Sequence, residues 1–214
     1  MTTNDATDDS TDNLDESTAL SDAQEALEDA RRRIAEAAAS VGYVPDRAGV
    51  RLRTGKTNVI ALVLSTEADV MNHTSQLLYS IARTLKGTAY HLVVMPFFPE
   101  EDPMAPIRYI VETGSADGII LNQTRPDDPR VRYMAERGFP FATHGRTEMG
   151  LDHPFFDFDN EAFARIAVRA LAAKGRKHLA LVRPPVEHSY SVHMTSGFLA
   201  ETALLGLSHE IISD

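Results

Sequence analysis

The stretch GVRLRTGKT (49–57) places Gly55-Lys56-Thr57 where a phosphate-binding loop would end. Such a loop reads G-x-x-x-x-G-K-[ST], which puts its first glycine on position 50. Position 50 is Val50, and Gly49 comes one residue too early. The order of elements is also wrong, because the strand-like run NVIALVLS (58–65) follows the motif instead of preceding it. Nucleotide binding is set aside, and what remains is a basic segment directly before a first core strand. Two acidic pairs have the residue types for acid–base or metal chemistry. FFDFDN (155–160) leads into an apolar helix, where Asp159 and Asn160 suit an N-cap. RPDDPR (125–130) reads as a turn framed by Pro126 and Pro129. The eight histidines are scattered, and the five-residue interval between His188 and His193 does not set both on one helical face. There is no cysteine, no G-x-S-x-G, no H-E-x-x-H and no G-x-G-x-x-G after a strand. The sequence predicts no enzyme, no cofactor and no metal.

The elements that would position these residues alternate from residue 58 onward. Apolar strand runs fall at 58–65, 91–97, 117–122 and 140–145, separated by amphipathic helices at 74–87, 103–114 and 128–138. Strand starts 23–33 residues apart are the spacing of βαβ units. Continuously apolar strands with crossover helices require a parallel sheet covered on both faces. The expected fold is therefore α/β, a doubly wound parallel sheet. Ligands in such sheets bind beyond the carboxyl ends of the strands, which directs attention to residues 66–74, 97–103, 122–127 and 144–148. A second, shorter series follows, with FFDFDN, a helix over 161–175, a strand at 178–184, a helix near 193–205 and HEIISD. Barely sixty residues are few for a sheet of its own, and the sequence reads as ending mid-domain with an unfinished, association-prone sheet.

Charge is unevenly placed. The net charge is −10 over 214 residues, yet residues 1–29 hold ten acids and no lysine or arginine, so the remainder is neutral. Residues 30–57 carry seven bases against two acids. Only this neck has the sign of a nucleic-acid contact. Residues 1–20 have little to bury and are expected to be disordered. Ser21 and Gln24 resemble a capping box that opens a helix ending near Gly42. No apolar run is long enough to span a membrane and the N-terminus has no leader pattern, which points to the cytoplasm.

RRRIAEAAASVGYVPDRAGVRLRTGKTNVIALVLS (31–65), ADGIILN, FPFATHGR, FDFDNEAFARIAVRALAAKGRKHLALV and SGF, in this order, resemble the lactose-repressor (LacI/GalR) family of bacterial transcription regulators. The resemblance implies a core like that of periplasmic binding proteins, two α/β subdomains with a small molecule, commonly a sugar, between them. It divides the chain into an acidic tail (1–20), a residual headpiece helix and hinge (21–57), an N-terminal effector-binding subdomain (58–150) and a partial C-terminal subdomain (151–214). Carried over from the family, the hinge puts Arg47, Arg51, Arg53 and Lys56 beside phosphates and uses Leu52 as an apolar wedge between base steps. The loops after the strands would offer Asn72, His73, Thr74, Asn122, Thr124, His144 and Arg146 to the effector. Where the family often has an arginine three residues before the glycine of its GF pair, this chain has Met194, with His193 beside it.

The family pattern is broken in three further places. The helices that should precede residue 27, the recognition helix included, have no counterpart. Asp46 stands where asparagine is customary, and Gly49 where alanine is. The expectation is a sugar-responsive LacI-type regulator in a truncated form that binds DNA poorly by itself, working as a homodimer or with a full-length paralogue. The alternative is a ligand-binding or dimer-interference module that does not touch DNA. A periplasmic transport receptor fits less well, given the basic hinge.

Overall fold

The computed structural model describes residues 10–65, 71–98 and 100–213. The chain divides into two compact units, 1–54 and 55–214.

The smaller unit holds two helices. The first, α1 (Ser10–Ser40), starts well before Ser21, so Ser21 lies within the helix and is not its cap. Nothing between residues 10 and 41 breaks a helix, since glycine and proline are both absent, and acids near a helix N-terminus favour its dipole. Gly42 ends α1 at φ +67, with Tyr43 N–H bonded to Ala38 C=O (2.9 Å) and Gly42 N–H to Ala39 C=O (3.1 Å). This is the Schellman arrangement, in which a residue without Cβ takes the left-handed position. The second helix, α2 (Arg47–Thr54), is the expected hinge. Asp46 caps it, its carboxylate accepting from Ala48 N–H at 2.8 Å. The aspartate read as a liability toward DNA is thus engaged by the helix N-terminus.

The larger unit begins with a parallel five-stranded sheet. Its strands are β1 (Val59–Ser65), β2 (His91–Phe97), β3 (Gly118–Asn122), β4 (Phe141–His144) and β5 (Phe155–Phe156), in the order β2-β1-β3-β4-β5. The first four are the strands expected from sequence. β5 is a correction: Phe155–Phe156 was read as opening the second series, but it pairs with Thr143 and His144 and extends the first sheet. Its two exposed phenylalanines have no periodicity from which a partner could be read.

Helices α4 (Ala105–Thr113) and α5 (Pro129–Glu136) pack on one face. Their Ile107, Ile110, Val131 and Met134 meet Ala61, Val63, Ile119 and Leu121 of the strands in one buried cluster. The alternate strand positions Ile60 and Ile120 face the other way, into an apolar groove of about 900 Å³ beside α3 (Met71–Leu85). At the base of that groove, Asp117 fastens the start of β1. Its carboxylate accepts from Thr57 N–H and Oγ1–H, both 2.7 Å, and from Asn58 N–H at 2.9 Å. Burial pushes the Asp117 carboxyl up, but these donors and the Lys56 charge outweigh it and hold it below the usual range.

The second sheet has two parallel strands, β6 (His178–Val182) and β7 (Ser208–Ile212), accompanied by α6 (Asn160–Ala173) and α7 (Ser189–Leu204). Asp159 caps α6 as expected, accepting from Ala162 N–H at 2.8 Å. The two helices cross at Gly197, where an added Cβ would stand 2.3 Å from the Glu161 carbonyl oxygen.

Candidate functional site

Every strand of the first sheet runs toward the same edge, so the segments after them share one rim. At that rim the backbone is unusual: Gln123, directly after β3, has φ +50. Asn122 and Thr124 on either side are buried. Thr124 is the joint of the rim. Its carbonyl accepts from Ser189 N–H of α7 at 2.8 Å, and its hydroxyl donates to the Arg146 carbonyl at 3.1 Å. Gly145 lies against it at φ +114, where a Cβ would fall 2.4 Å from Thr124 Oγ1. Only glycine fits that approach without displacing the loop.

The turn after β3 is fixed by a buried ion pair that the sequence reading took for a plain proline turn. Asp128 is fully buried and caps α5, accepting from Arg130 N–H at 3.0 Å. The Arg130 guanidinium donates to both carboxylate oxygens, from Nε at 3.0 Å and Nη2 at 2.7 Å, and reaches the Gln123 carbonyl at 2.9 Å. Burial raises the Asp128 carboxyl. The hydrogen bonds and charge of Arg130, with the Arg125 amide, more than reverse that, and its pKa lies below the ordinary value. A motif of two adjacent aspartates gave no sign that one of them would be the innermost charge of the sheet.

The sequence-nominated residues divide by position. Asn122, Thr124, His144, Arg146 and His193 meet at the rim between the five-stranded sheet and α7. Asn122 pairs in register with His144, whose ring lies 6.0 Å from that of Phe156. Asn122 Oδ1 is buried without a hydrogen-bond partner. Arg146 has a partner in Asp157, with Nε 3.4 Å from Oδ2. Asn72, His73 and Thr74, expected in a loop, fall in the first turns of α3, which starts at Met71. Thr74 is half-buried, and the side chains of Asn72 and His73 lie outside the described residues. Among the hinge residues, Leu52 is 93% exposed on α2 and Arg51 and Arg53 are exposed with it. The Arg47 side chain lies outside the description. Lys56 is not on α2; it lies in the larger unit, lining the groove beside Asp117.

His193 was expected near a helix start. Instead α7 begins at Ser189, so His193 lies one turn in, on the same face as Ser189. It is buried, with Nε2 2.5 Å from Glu148 Oε1 in the segment after β4. Met194, which takes the place of the family's arginine, turns away and packs against the core of the second sheet. The sequence reading missed Glu148, Ser189 and Gln123. None belongs to a motif: Gln123 and Glu148 lie in the segments after β3 and β4, and Ser189 reaches the rim through the docking of α7. A small cavity of about 100 Å³ remains there, lined by Ser65, Phe97, Glu101, Gln123, Arg125 and His188 among others. Among the described residues, no three histidine, aspartate or glutamate side chains come together as metal ligands.

Residues 57–213 match the family described as periplasmic binding proteins and sugar binding domain of LacI family. The HTH-type transcriptional regulator AglR of Rhizobium meliloti (strain 1021) is 32% identical over 178 residues, covering 82% of this chain and 50% of that protein. The HTH-type transcriptional regulator RafR of Escherichia coli is 33% identical over 160 residues, 74% of this chain and 47% of its own. This chain thus spans about half the length of these relatives. Among solved structures, a transcriptional regulator from Yersinia pestis superimposes with a TM-score of 0.65 at 28% identity, over 74% of this chain and 58% of the other. A transcriptional regulator CelR–cellobiose complex superimposes at 0.64 with 20% identity, over 86% and 56%, a likeness of fold.

Proposed function

This chain belongs to the family of periplasmic binding proteins and LacI-family sugar-binding domains, and from that premise we propose that it is the effector-sensing part of a LacI-type transcription regulator that responds to a sugar. The observation that carries this reading is the rim. Five residues nominated from sequence, Asn122, Thr124, His144, Arg146 and His193, gather where the first sheet meets α7, which is the position a ligand takes in an open α/β sheet. Thr74, Asn72 and His73 would complete the effector contacts from the start of α3. Two related HTH-type regulators and the cellobiose complex of a structural neighbour support a saccharide and a role in transcription.

The mechanism is a population shift. An effector that binds one arrangement of the two sheets more tightly than another draws the chain toward it. The hinge α2 transmits the change, with Arg47, Arg51 and Arg53 meeting phosphates and Leu52 wedging between bases. The protein acts in the cytoplasm, as a homodimer or beside a related regulator. A second reading, a ligand-binding or dimer-interference module, is favoured by one feature. Residues 10–40 form a single acidic helix, not a helix-turn-helix.

The deciding experiment is fluorescence anisotropy of the whole chain on a random-sequence duplex at about 50 and 200 mM salt, a range over which phosphate contacts lose orders of magnitude in affinity. Binding that falls steeply with salt supports the regulator with a working hinge. Absence of binding at both salts removes DNA from the reading and leaves the interference module.

A further inference from the structure

Hydrogen bonds cross the rim from α7 to the loops of the first sheet. An effector that enters between them must replace these bonds. One of them joins two side chains, His193 to Glu148. His193 is 8% exposed and its Nδ1 is buried with no hydrogen-bond partner. Ser189, one turn earlier on the same face, is 1% exposed with an unpartnered Oγ. The Glu148 side chain is 55% exposed, so its carboxylate is both bonded to the imidazole and open to an incoming ligand.

We propose that Glu148 and His193 form a charge filter that admits uncharged polyhydroxyl effectors and rejects phosphorylated or acidic ones; this rests on the saccharide reading above. The chemistry follows from what can be inserted between a carboxylate and an imidazole. A sugar hydroxyl donates to Glu148 and accepts from, or donates to, His193, so it replaces the crossing bond at little cost. A phosphate monoester dianion or a carboxylate has no proton of its own to offer Glu148, and every anion meets it as a like charge in a partly desolvated site.

The surrounding charges point the same way. Arg130 is spent on Asp128 and on the Gln123 carbonyl, and Arg146 is paired with Asp157. Glu101 and Glu187 also line the rim cavity, where Arg125 is the one further cation among the described lining residues. Three arginines thus stand among five carboxylates, Glu101, Asp128, Glu148, Asp157 and Glu187.

The test is calorimetric titration of the whole chain with neutral mono- and disaccharides, cellobiose among them, and in parallel with sugar 6-phosphates, glucuronate and inorganic phosphate. Saturable heat from at least one neutral sugar, with none from the anionic probes at tenfold higher concentration, is the expected result. A sugar phosphate or glucuronate that binds as tightly as the neutral sugar overturns the filter but leaves the saccharide reading standing. If no sugar of either kind binds, the saccharide reading falls and the filter with it. Glu148→Gln keeps the shape and removes the charge, and circular dichroism checks that it folds. It is expected to narrow the preference for neutral over phosphorylated sugar by about tenfold, one charge-assisted hydrogen bond's worth. A preference unchanged in Glu148→Gln assigns the selectivity elsewhere and overturns the role of this pair.

Discussion

Around the five-stranded sheet, ten apolar side chains from Ala61 to Met134 form one continuous buried cluster, whereas the two-stranded sheet gathers four, Ala164, Val168, Leu179 and Phe198. The second region adds a charge cluster to this thinner core. Glu201 on α7 is 1% exposed and accepts from Arg169 Nε at 2.7 Å and Nη2 at 3.1 Å, with Arg165 Nη1 at 3.6 Å. Hydrogen bonding from Arg169, opposed by burial and reinforced by Arg165, holds the Glu201 carboxyl below the usual range. Val182 and Ile212, at the ends of β6 and β7, remain 74% and 47% exposed. The contrast teaches where stability resides. Apolar area removed from water is non-directional and tolerant of small shifts, while an ion cluster depends on geometry and on pH.

The largest effect should come from the buried Asp128–Arg130 pair of the first region. Asp128→Ala leaves Arg130 buried without its partner and uncaps α5, at a cost of about 3–5 kcal/mol in urea unfolding. A loss below about 1 kcal/mol would show that the turn after β3 holds without the pair. Next, Leu121→Ala is expected to cost about 3 kcal/mol, and Leu179→Ala, in the thinner core, about 2. If Leu179→Ala proved the more damaging, the ranking of the two regions would be reversed.

Gly197→Ala drives a methyl group into the Glu161 carbonyl and must spread α6 from α7, costing about 1–3 kcal/mol. Hydrogen exchange should then quicken at the amides of β6 and β7 while those of β1 and β3 hold their rates. Equal quickening in both sheets would mean that the regions unfold as one. The smallest effect concerns acid. A carboxylate whose pKa is depressed in the folded state contributes stability above its unfolded pKa, near 4, and that contribution is lost as pH falls through the lower folded value. Glu201→Gln should therefore flatten the pH dependence of β6–β7 exchange below about pH 4, with the first sheet still responding through Asp128 and Asp117. An unaltered acid profile in β6–β7 would remove Glu201 as its source.

Much of the fold was legible because its signals are local. Apolar runs such as NVIALVLS and ADGIILN announce buried parallel strands, and Asp159 before an Ala-rich run announces a helix start. The misread places share a cause. Ser21 has the residue pattern of a cap, but a cap pattern inside an uninterrupted helical stretch does not stop the helix. Phe155–Phe156 is too short to show a period, and its role as β5 comes from lying beside β4. The candidate site was legible in part. Asn122, Thr124, His144 and Arg146 follow from the rule that sites lie beyond strand ends, while the Arg146–Asp157 pair does not.

The sequence by itself determined the first four strands, their parallel arrangement, the edge at which a ligand would meet them and the family, because periodicity, caps and spaced motifs act over a few residues at a time. The tertiary structure alone decided which polar groups face one another: Asp128 under Arg130, Glu148 against His193, Asp117 on the start of β1. These partners join separate elements or turn inward only when a helix docks. Apart from the N-cap at Asp128, no local preference encodes them, and their distances, burial and charges exist only once the chain has closed.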